Sequence, residues 1–120
     1  MEEPSVKDIF AMRREGRVEE AYNLIRKRYA AYHGHYTTLC MFWCAADVMA
    51  LRLEYATAAA ENSRGADGDA LNALQEAEKI GLALERLYPS LRDEEGSARR
   101  KLDALHSLAL VCRRKLFPAD

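Results

Sequence analysis

Thr37–Leu53 reads TTLCMFWCAADVMALRL, and between Leu39 and Leu51 only Asp47 is polar. Leu39, Phe42, Ala46, Met49, Leu53, Ala56 and Ala60 recur at alternating spacings of three and four. That period keeps one side of an α-helix apolar. Cys40, Trp43, Cys44 and Ala50 widen the stripe. The first half of this helix is therefore expected to be buried nearly all round, as the post on which other helices pack.

Upstream, Ser5 is placed to cap a helix over residues 6–15, with Asp8 as its acidic capping-box partner. Ile9, Phe10 and Met12 supply the buried side. Gly16 ends the helix, since glycine enters the left-handed conformation at low cost. A second helix over residues 17–32 carries Val18, Ala21, Tyr22, Ile25 and Tyr29 on one face. Helix, glycine turn and helix predict an αα-hairpin. His33 to Tyr36 form a short connection, after which Thr37 or Thr38 is expected to cap the central helix over residues 37–62.

Downstream, Asn62 to Gly68 reads as a flexible loop. A fourth helix over residues 69–88 turns Leu71, Leu74, Ala77, Leu84 and Leu87 inward and closes at Pro89. Gly81 costs that helix about 1 kcal/mol of propensity, which predicts a close helix–helix contact there. The fifth helix, over residues 93–116, has a second three-four seam: Ala98, Leu102, Leu105, Ala109, Cys112 and Leu116. No strand pattern appears. The expected fold class is all-α: one domain of about five helices, built as two antiparallel hairpins and a C-terminal helix.

A chain of 120 residues suits one domain with a real core. Its 18 basic and 19 acidic residues leave a formal charge of −1. Phosphate binding calls for a basic excess that is missing here, so no nucleic-acid partner is expected. Arg26-Lys27-Arg28 and Arg113-Arg114-Lys115 fall near helix C-termini, where cations oppose the helix dipole. Three cysteines without framework spacing argue against a disulfide scaffold. The MEEPSVKD start is not that of a signal peptide, and no apolar run reaches the ~20 residues of a membrane span. The expected location is the cytoplasm, with no membrane partner.

Two helical hairpins and a lone amphipathic helix resemble a tetratricopeptide-repeat protein of two repeats and a capping helix. EGRVEEAYNLI places Gly16 at the inter-helix turn, Ala21 at the family's small position and Ile25 at the bulky one after it. In the second hairpin Ala77 and Pro89 match the small residue and the terminal proline. Ile9 through Met49 looks like small bacterial TPR-like proteins, from which no function carries over. The chain departs from the pattern at the aromatic and glycine positions of each first helix, at Gly81, and by an insertion around Ala56 to Gly68. The resemblance implies a right-handed helical superhelix and a partner-binding concave face. A generic helical bundle is the alternative.

Candidate chemistry is sparse. His33, His35, Cys40 and Cys44 offer metal-ligand types, but Cys40 and Cys44 lie four apart inside an apolar run, where free cysteine behaves as a small hydrophobe. Neither Cys44 nor any histidine has the oxyanion hole and orienting group that nucleophilic catalysis needs. No catalytic residue, cofactor or metal site is expected. Tyr22, Tyr29, Tyr32, Tyr36 and Trp43 concentrate around the first hairpin and read as core packing.

Asp47 is the informative polar residue, because an unpaired buried carboxylate costs several kcal/mol. It reads first as a structural ion pair with Arg14 or Arg100. In the TPR register it would instead face a concave groove with Lys7, Phe10, Arg13, Arg14, Met41 and Arg100, apolar contacts flanking arginines that receive a carboxylate. The lysine-and-asparagine pattern of carboxylate-clamping TPR domains is not evident. The expected function is thus a non-enzymatic module binding a protein or peptide. The alternative is a self-associating subunit, a homodimer through the C-terminal helices (the fifth or the fourth); on the fifth, Leu108 and Val111 widen the seam. A metal- or small-molecule-binding helical domain is the third reading.

Overall fold

The computed structural model describes residues 4–63 and 68–118. They form five α-helices: α1 (Val6–Arg14), α2 (Val18–Ala31), α3 (His35–Ser63), α4 (Gly68–Leu87) and α5 (Ser97–Leu116), with a 3-10 turn at Tyr88–Ser90. No strand occurs among the described residues, and the expected all-α class and helix order hold. Residues 64–67 of the expected loop lie outside the described residues.

The entry to α1 is the expected capping box. The Asp8 amide donates to Ser5 Oγ at 3.2 Å, and the Ser5 amide donates to Asp8 Oδ2 at 3.1 Å. Its exit is a Schellman turn: Arg17 N–H bonds the Met12 carbonyl and Gly16 N–H bonds the Arg13 carbonyl. Gly16 sits at φ +84°, which lets α2 start two residues later and fold back on α1.

Two helix starts differ from the sequence reading. α3 begins at His35 rather than at Thr37, so Thr37 and Thr38 are buried in its first turn. Thr38 Oγ1 donates back to the Gly34 carbonyl at 2.9 Å instead of capping an amide. α5 begins at Ser97 because Gly96 takes φ +74° and interrupts the helix. Asp93 caps it from outside, accepting from the amides of Ala98 and Arg99 at 3.0 Å and from the Tyr88 hydroxyl at 2.9 Å.

At 29 residues, α3 runs about 44 Å, most of the molecule's 50 Å long axis. It packs against every other helix. One flank, with Cys40 and Cys44, joins Ile9 and Met12 of α1 and Ala21 and Ile25 of α2 in a small core. Another flank, Phe42, Ala46, Met49, Leu53 and Ala56, joins α4 and the whole α5 seam in a larger one. Tyr22 touches both clusters. Ion pairs cross the same junctions at the surface: Arg52 of α3 pairs with Glu19 of α2 and Glu76 of α4.

Ala70, Ala73, Ala77 and Gly81 are buried along α4, and these small side chains let it lie close to α3. A Cβ on Gly81 would stand 3.0 Å from Met49 Cε and 3.2 Å from His106 Cε1. The close contact expected from the sequence is thus a three-helix junction. Gly81→Val should lower stability by about 2 kcal/mol through overpacking, read as a drop in the urea midpoint without a change in slope.

The Asp93 carboxyl is only partly screened from water. That desolvation pushes its pKa up, and the Arg99 and Ala98 amides with the Tyr88 hydroxyl outweigh it, leaving the pKa below its ordinary 3.8. A depressed folded pKa means the cap contributes fully above the unfolded value and is lost as pH falls through the folded one. Asp93→Ala should therefore melt below the parent chain at pH 7. The gap should narrow as the pH drops below 3.8, as followed by circular dichroism.

Candidate functional site

Lys7, Phe10 and Arg14 follow one another at spacings of three and four on α1, so they share a face. The opposite face places Ile9 and Met12 in the small core. The outward face looks across a groove of about 750 Å³ toward the end of α2 and the start of α3. Val6, Phe10 and Leu39 make its apolar floor; Lys7, Arg14 and Arg28 supply cations; Tyr32 and Tyr36 project beside it.

Tyr32 and Tyr36 are 68% and 71% exposed, the two most exposed large hydrophobic residues described. The Tyr32 ring folds back over Gly34, where a Cβ would stand only 2.3 Å from Tyr32 Cε1. The neighbouring connection is stiffened by Tyr29 stacking on His33, ring centroids 4.1 Å apart. Arg28 Nη1 donates to the Pro4 carbonyl at 3.1 Å and ties the approach to α1 onto the end of α2. No aspartate or glutamate lines the groove. Among the described residues, Lys7 and Arg14 make no salt bridge or side-chain hydrogen bond.

A second, more polar cleft of about 420 Å³ lies between α1, α2 and α3, lined by Arg13, Arg14, Val18, Asp47, Leu51 and Glu54 among others. Here Asp47 is paired, but with Arg13 rather than Arg14 or Arg100. The Arg13 Nε and Nη2 groups donate to its two carboxylate oxygens, the latter at 3.3 Å. Successive helix residues are rotated by about 100°, so Arg13 faces α3 while Arg14 faces outward. The Arg13 guanidinium also lies 5.4 Å from the centre of the Trp43 ring.

The face expected from the TPR register is therefore divided. Lys7, Phe10 and Arg14 line the large groove, and Arg13, Arg14 and Asp47 line the polar cleft. Met41 faces a third, smaller pocket with Tyr22, Tyr29 and Leu87. It stands six residues from Asp47 on α3, about a third of a turn away in direction. Arg100 sits in the first turn of α5 and donates to the Glu95 carbonyl at 2.9 Å, apart from all three.

The sequence reading missed Arg28, Tyr32, Tyr36 and Leu39. Within the aromatic group it treated as packing, Tyr22 and Trp43 do pack on the cores. Tyr32 and Tyr36 do not. Their position on either side of Gly34, outside both apolar stripes, is the signal that separates them.

Cys40 and Cys44 are fully buried, with sulfurs 3.9 Å apart. The contact with Cys44 and then burial push the Cys40 thiol far above the usual thiol range, so it stays neutral. Among the described residues, no three His, Cys, Asp or Glu side chains gather as a metal site would require. No described helix is long and apolar enough to cross a membrane. Comparison with known protein families, curated proteins and solved structures finds no match.

The Asp47–Arg13 pair is partly buried, with side chains 20% and 28% exposed. It ranks between a surface pair and a buried one. Asp47→Ala should cost about 1 to 2 kcal/mol of unfolding free energy by strips of the same urea titration. In an Arg13→Met background the further loss should be much smaller, as a double-mutant cycle would show.

Proposed function

We propose that this chain is a small, non-enzymatic interaction module that presents the groove between α1, the end of α2 and the start of α3 to a protein or peptide partner. The observation that carries the reading is the combination of an apolar floor, three cations and two projecting tyrosines in one groove. Aromatic and arginine side chains dominate binding energy at protein interfaces, and a groove of several hundred Å³ with few polar groups is a usual ligand setting. The three cysteines are free and buried, which suits a reducing compartment such as the cytoplasm.

We read the architecture as TPR-like. Supporting this, α1 packs with α2, α3 with α4, α2 with α3, and α5 closes on both α3 and α4. In that reading α5 acts as the cap of a short two-hairpin array.

A second reading, self-association, is favoured by one observation. Leu108, Leu110, Val111 and Phe117 are 39–50% exposed along α5 and just beyond it. The two readings separate in one experiment. The immobilised chain should capture a partner from lysate, and Tyr36→Ala and Lys7→Glu should abolish capture without lowering the melting temperature, while Val111→Ser leaves it intact. Capture lost only with Val111→Ser, alongside a dimer mass by light scattering, would favour self-association instead.

A further inference from the structure

The groove also has a chemical preference, and this inference rests on the interaction reading above. We propose that its occupant is an acidic peptide segment in which carboxylates alternate with bulky apolar side chains.

Charge makes the first argument. The whole chain is close to neutral, at −1, yet Lys7, Arg14 and Arg28 line this groove with no acidic residue among them. Several arginines elsewhere stand beside their own carboxylates: Arg13 with Asp47, Arg52 with Glu19 and Glu76, Arg99 with Glu85 and Asp103, Arg113 with Glu78. Among the described residues Lys7 and Arg14 make no salt bridge, and they flank an apolar floor that lowers the local dielectric and strengthens their attraction for a carboxylate. Two turns of α1, roughly 10 Å along the axis, separate their attachment points, a spacing that suits more than one acidic group. A segment with spaced acidic groups supplies them.

Shape makes the second. Phe10 and Leu39 offer an apolar floor between the cations, which a purely acidic tail would leave wet. Gly34 allows the Tyr32 ring to rest over the connection, so the exposed ring is positioned before any partner arrives. An aromatic side chain presents a large contact area on only two rotatable bonds, which keeps the entropy cost of binding low. A basic or neutral peptide would bring either repulsion or unmatched cations into the same space.

Fluorescence anisotropy tests this with a short dye-labelled peptide alternating Glu with Leu and Phe. Two counterparts serve as controls, one with Lys replacing Glu and one with Ala replacing the bulky residues. The acidic apolar peptide should bind about tenfold or more tighter than either, and its binding should weaken as salt rises. Lys7→Glu should weaken it about tenfold, whereas Arg114→Glu, the same charge change on the exposed outer side of α5, should not. Gly34→Ala, which displaces the Tyr32 ring without demanding a new backbone conformation, should weaken it several-fold at unchanged melting temperature.

Equal or tighter binding of the Lys peptide, no binding of the acidic one, or indifference to both Lys7→Glu and Gly34→Ala would overturn the proposal. Binding to phosphatidylserine vesicles without binding to the peptide would overturn it too, assigning the cations to a lipid surface. Partner capture that still depends on Tyr36 in any of these cases would leave the module reading standing and remove only its acidic occupant.

Discussion

The rest of the molecule depends on burying α3 on more than one flank at once. Its first half carries too much apolar surface for a single neighbour, since Cys40, Phe42, Cys44, Ala45, Ala46, Val48 and Met49 are all inaccessible or nearly so. Covering them takes α1 and α2 on one side and α4 and α5 on the other. The result is two cores sharing one wall rather than one core between layers. Hydrophobic burial of this kind contributes about 1.5–3 kcal/mol for each large side chain removed from water, so the two halves stand or fall with the helix between them.

The groove is a by-product of that arrangement. α1 is nine residues long, too short to be stable alone in water, and it is held by a capping box, a Schellman turn, the inward pair Ile9 and Met12, and the Asp47–Arg13 bridge. With its inner face used for attachment, its outer face is free to carry Lys7, Phe10 and Arg14. Because α3 starts two residues earlier than Thr37, its first turn reaches back beside the end of α2 and supplies Tyr36 to the groove, with Leu39 following on its floor.

Gly34 and Gly81 serve different ends by the same means. At Gly81 the missing side chain lets α4 approach Met49 of α3 and His106 of α5, which serves stability. At Gly34 it makes room for an exposed ring instead, which adds nothing to a core. Polar networks at the far end, such as Glu85 shared by Arg99 and His106, join α4 to α5 and have no bearing on the groove.

What the sequence determined by itself was periodic: five helices, the seams Phe42–Ala56 and Ala98–Leu116, the capping box at Ser5, the turn at Gly16 and the close contact at Gly81. Each follows from local spacing or from one residue's conformational range. It also marked Asp47 as a group needing a cation. Only the tertiary structure decided which cation, because Arg13 and Arg14 differ by a rotation of about 100° around α1 and nothing in their order says which faces α3. It likewise separated Met41 and Arg100 from Lys7, Phe10 and Arg14, and distinguished the exposed tyrosines at 32 and 36 from the packed ones. A surface groove gathers residues from helices whose relative rotation is set by packing, and no local pattern along the chain encodes that rotation.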